Sequence, residues 1–70
     1  MDALTETAGL SRAELELLAE LARGATVDRV GRQLDISGRT VRRRLRIVCD
    51  RIGVATPIEA VAWAARRGLI

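Results

Sequence analysis

Apolar residues recur along this chain at helical spacing, in four stretches set apart by residues that start and stop helices. In the first stretch Leu15, Leu18 and Ala22 form one line, with Leu17 and Leu21 beside them. Ser11-Arg12-Ala13-Glu14 precedes it as a capping box, in which the serine hydroxyl and the glutamate three residues on each satisfy a free backbone N–H. Gly24 follows where a residue of positive φ ends a helix, so the spacing predicts a helix over 12–23. Thr26 caps a shorter predicted helix over 27–34, with Val27, Val30 and Leu34 on one side. Asp35-Ile36-Ser37 is then a tight turn, with Ile36 expected to fill the core. Ser37 caps a third helix over 38–51, whose apolar line is Val41, Leu45, Val48 and Ile52, and Gly53 ends it. Thr56-Pro57-Ile58-Glu59 is a second capping box with proline at the first helical position. It opens a fourth helix over 57–67, closed by Gly68. Residues 1–9 show no period and are expected to form a flexible segment ahead of one domain over 10–70. No stretch alternates as a strand does, so the predicted fold class is all-α, with four short helices.

Composition narrows the function classes. Hydrophobic residues make up 49% of the chain, too many for a disordered tail. His is absent and Cys occurs once, which excludes a zinc site built from those ligands and a Ser-His-Asp or Cys-His catalytic site. No acid, base and nucleophile cluster, so neither an enzyme nor a bound cofactor is expected. Cys49 falls near the core side of the third helix as a small hydrophobe, and Trp63 is read as packing. A lone Cys makes no internal disulfide, which fits a reducing compartment and an expected place in the cytoplasm. The longest apolar run, Ala60 to Ala65, is too short to cross a bilayer, and the acidic N-terminus is unlike an export signal. A core of this size contributes only a few kcal/mol, so oligomerisation is the expected second source of stability.

Charge changes the picture more. All 12 basic residues are Arg, against nine acids. Residues 1–25 carry five acids and two Arg, a net −3, whereas residues 26–70 carry ten Arg and four acids, a net +6. Arg39, Arg42, Arg43, Arg44 and Arg46 fall close together on the third helix, with no acid among them. On a helical wheel Arg39, Arg42, Arg43 and Arg46 spread opposite the apolar line. A helix fits the DNA major groove, and the planar Arg fork matches guanine O6 and N7. The second helix, the turn and the third helix have the proportions of a helix-turn-helix. Arg42, Arg43 and Arg46 are therefore expected to read bases. Arg39, Ser37, Thr40 and Thr26 are expected to orient the domain on phosphates, with help from the free N–H groups that begin the third helix. A solvated Arg face with no partner, or a sequence-blind DNA coat, is the alternative use of the same residues.

The fourth helix carries a different signal. Between Ile58 and Ala65 only Glu59 is polar, and the run Ala60-Val61-Ala62-Trp63-Ala64-Ala65 is apolar all round. Ile58, Val61, Ala62 and Ala65 form one side and are expected to meet a second subunit. That would give a homodimer on double-stranded DNA. The alternative is a protein-interaction module, in which this helix docks on an RNA polymerase subunit or another regulator.

These residues also resemble a known family. Leu10-Ser11, Glu14, Glu16, Leu18, Ala22-Arg23-Gly24, Leu34-Asp35-Ile36-Ser37, Thr40-Val41-Arg42, Ile52-Gly53-Val54, Glu59-Ala60-Val61 and Gly68-Leu69-Ile70 fall in one register without gaps. Together they are similar to the LuxR/FixJ/NarL-type, GerE-like DNA-binding domain of bacteria. The resemblance implies a four-helix fold with a helix-turn-helix from the second and third helices, transcriptional regulation, and dimerisation through the fourth helix. It also implies DNA reading by Arg42, with Arg43 and Arg46 facing bases. Gly31 stands where the family has Ala, and by propensity alone should weaken the second helix by about 1 kcal/mol.

Overall fold

The computed structural model describes residues 8–70. Its helices are α1 (Arg12–Ala22), α2 (Val27–Leu34), α3 (Gly38–Ile52) and α4 (Pro57–Arg66), and no strand occurs among the described residues. The bounds match the sequence expectation to within a residue at each end. Residues 1–7, most of the segment expected to be flexible, lie outside the described part. Ala8 and Gly9 form a turn, and the Gly9 carbonyl accepts a hydrogen bond from Arg51 Nη1 at 3.1 Å.

Each helix begins on the hydroxyl the sequence marks for it. Ser11 Oγ accepts from the Glu14 N–H at 3.1 Å, and Glu14 Oε1 accepts from the Ser11 N–H at 2.7 Å, which completes the capping box. Thr26, Ser37 and Thr56 likewise accept from the backbone N–H three residues on. At Thr56 the box is only half made. The Glu59 carboxylate accepts from the Thr56 hydroxyl at 3.0 Å and makes no bond to the Thr56 N–H.

The α2–α3 turn is closed from the α2 side. Asp35 adopts the left-handed conformation (φ 58°), and the Ile36 N–H reaches back to the Gly31 carbonyl at 2.8 Å. Ile36 is half-buried against the core, as the sequence suggested. Gly31 has a structural reason that propensity does not capture. A Cβ there would stand 2.7 Å from the Ile36 carbonyl oxygen and 3.4 Å from the Gly38 nitrogen. The turn backbone crosses α2 at this point, so the close approach favours Gly31 there beside its cost in helix propensity.

The core gathers one face from each helix. Leu17 and Leu18 of α1, Val30 of α2, Val41, Leu45 and Val48 of α3, and Ala60, Trp63 and Ala64 of α4 are buried. One detail departs from the sequence reading and a second lies outside it. Along α1 the buried positions are Leu17 and Leu18 while Ala22 is exposed, so the helix is turned by about one residue from the expected line. Arg51 of α3 donates through Nη1 to Glu14 Oε1, 3.1 Å away, as well as to Gly9. This clasp ties the chain ahead of α1 to the far end of α3. α3 thus packs against all three other helices, with its opposite face left open.

Candidate nucleic-acid interface

The exposed side of α3 is set by its buried one. Val41, Leu45 and Val48 are at most 2% exposed, so the residues between them must point outward. Arg39, Arg42, Arg43 and Arg46 are all exposed. With Thr40 they line an open groove of about 410 Å³, and no acid is among its lining residues. The four guanidinium groups expected on one face are therefore on one face. Arg44, the fifth Arg of the run, is half-buried and turns away, lining a hollow with Ser11, Glu14 and Arg51. Ile47 is 45% exposed on the flank of the same helix.

The hydroxyls at the helix starts differ in what they have left to offer. Ser37 Oγ accepts from the Thr40 N–H at 3.0 Å and donates its proton to Thr40 Oγ1 at 3.0 Å. Both functions of the serine are engaged in the cap, so the free hydroxyl proton there belongs to Thr40. Thr26 Oγ1 accepts from the Arg29 N–H, which leaves its own proton to donate. Thr26 and Thr40 thus hold open donors at the first turns of α2 and α3, where the helix dipoles already favour an anion.

One contact at the basic face has no local sequence signal. Asp28, in the first turn of α2, places Oδ1 3.9 Å from Arg42 Nη2. Asp50 is exposed one turn beyond Arg46, as its place in the sequence indicates.

Of the four α4 residues expected at a subunit contact, Ile58 and Ala65 lie open to solvent, whereas Val61 also packs against the core that Ala60, Trp63 and Ala64 occupy. Ile58 is 81% exposed and Ala65 is exposed, while Val61 and Ala62 are half-buried. Arg67 lies over the face of the Trp63 ring, 4.3 Å from its centroid. Cys49 is buried beside Leu45, and burial, followed by the charges of Asp50 and Glu59, pushes its thiol above the ordinary value. Among the described residues no helix is long and apolar enough to cross a membrane.

A protein-family model described as GerE, bacterial regulatory proteins of the luxR family, matches residues 8–64. No curated protein and no solved structure matches the chain.

Proposed function

The chain belongs to the luxR family of bacterial regulatory proteins, a family of DNA-binding regulators, and on that premise we propose how this member binds. It binds double-stranded DNA sequence-specifically as a homodimer in the cytoplasm, with α3 in the major groove. The observation that carries this reading is the open groove of Arg39, Arg42, Arg43 and Arg46 with no acid in its lining. Arg42, Arg43 and Arg46 read base edges, since each can present two parallel N–H donors to guanine. Arg39, Thr40, Ser37 and Thr26 align the domain on phosphates, Thr40 and Thr26 through their free hydroxyl protons and Ser37 through the cap that orients Thr40.

Dimerisation uses Ile58, Val61, Ala62 and Ala65 of α4. Exposed Ile58 (81%) and Ala65 together with half-buried Val61 and Ala62 make one apolar side of α4, and covering that side with a partner removes apolar surface from water. The same exposure suits the alternative in which α4 docks on a polymerase subunit or another regulator.

Fluorescence anisotropy with labelled duplexes tests the binding reading. Affinity is expected to fall steeply with salt, with a slope of about −0.9 per phosphate contacted, and one duplex should resist competition by random sequence. Absence of duplex binding at low salt would reject it. Binding that random duplex competes away completely would leave only a sequence-blind coat.

A further inference from the structure

One carboxylate reaches the basic face from another helix. Asp28 belongs to α2, and its Oδ1 lies 3.9 Å from Arg42 Nη2. A Cβ placed on Gly38 would stand 2.5 Å from that same Oδ1 and 3.6 Å from Arg42 Nη1. The side chain Gly38 lacks would therefore fill the space the carboxylate uses. Asp28 sits against the first residue of α3, where free N–H groups and the positive end of the helix dipole attract an anion. Its charge lies at the start of α3 and within ion-pair distance of a guanidinium assigned to base reading.

Both side chains are largely exposed, 65% for Arg42 and 72% for Asp28, so the pair adds little to folding stability. Its consequence lies in binding. Sequence-blind binding depends on net attraction to phosphates, which accept a cation in many orientations. Base reading depends on the orientation of the Arg fork against guanine O6 and N7. A carboxylate beside Arg42 acts in opposite directions on the two. It subtracts positive charge from the phosphate attraction, and as an ion-pair partner 3.9 Å away, without a hydrogen bond, it favours fork positions near α2.

We infer that Asp28 is a positioning residue that sets specificity at this interface: it lowers sequence-blind binding while holding Arg42 for its base. The inference rests on the DNA-binding reading above and adds a residue outside the basic face to it.

The test compares affinity for a duplex selected by the parent protein with affinity for random duplex. Asp28→Asn keeps size and removes charge. Random-duplex affinity is expected to rise, and the selected-to-random ratio to fall, by about two- to fivefold, the span of an exposed ion pair. In an Arg42→Ala background the same change should still raise random-duplex affinity but leave the ratio unmoved, which a general effect on the fold would not do. Gly38→Ala displaces the carboxylate while keeping its charge, and should also lower the ratio, with circular dichroism reporting that the helices persist. If Gly38→Ala does not fold, Asp28→Asn decides alone. An unchanged or raised ratio in Asp28→Asn overturns the inference and leaves DNA binding standing. Failure of the parent protein to bind any duplex overturns both.

Discussion

Single residues divide here into those with one local task and those that join distant parts. Arg43 points most directly away from the buried line of Val41, Leu45 and Val48, so among the proposed base readers its loss should be clearest. Arg43→Ala should cost about 1–3 kcal/mol of binding and relax preference at one base position. Arg39→Ala, a phosphate contact in this account, should weaken all duplexes alike and reduce the salt slope by about one contact. Equal, sequence-blind losses from both would contradict the division of roles. Gly31 makes a prediction about folding. The Ile36 carbonyl 2.7 Å from a would-be Cβ is backbone and cannot swing aside. Gly31→Ala should therefore lower stability by about 1–3 kcal/mol, the usual cost of overpacking, despite the helix propensity gained. A urea midpoint that rises would show that the turn yields. Cys49 is buried and its thiol is held above the ordinary value, so the reactive thiolate is scarce at neutral pH. Alkylation should follow unfolding rather than proceed on the native protein, and native-state labelling at the rate of a free thiol would contradict this burial.

At the scale of helices, what could be read from sequence was what is local. Ser11, Thr26, Ser37 and Thr56 cap their helices because a cap is a contact across three residues, all visible in a short string. The apolar line of α3 is equally legible, since Val41, Leu45 and Val48 are buried as a periodic pattern requires. α1 was legible as a helix but not in its rotation. With Leu15, Leu17, Leu18 and Leu21 all apolar, the stripe is too broad to fix which edge meets the core, and packing chose Leu17 over Ala22. The Glu14–Arg51 bond joins residues 37 apart, and Asp28–Arg42 spans two helices, so no periodicity marks either. Of the candidate site, the basic face was readable from spacing, whereas the carboxylate that reaches it from α2 was not. The α4 face tests the dimer. Val61 also packs against the core, so the cleaner place for a charge is Ile58, which is 81% exposed. Ile58→Asp should leave the helical signal intact, give monomers by light scattering, and weaken binding to a two-half-site duplex. An unchanged mass would reject the α4 contact.

Taken whole, the molecule is a small core carrying one strongly charged helix face. The net charge of +3 is modest only because an acidic first third offsets the Arg of the rest. The acids of α1 and the Arg groove of α3 sit on different surfaces, since α3 is buried on the side that meets α1. A field arranged this way steers one face toward a polyanion and leaves the other neutral or repelled. With a core supplying only a few kcal/mol, association of two subunits should add to stability, and the melting temperature should rise with protein concentration. In the proposed dimer, paired α3 helices read sequence in successive major grooves, about 34 Å apart. Selection of bound duplexes from a random pool tests it most directly. Palindromic half-sites spaced by about one helical turn should be enriched. A pool that emerges without an enriched sequence would contradict it.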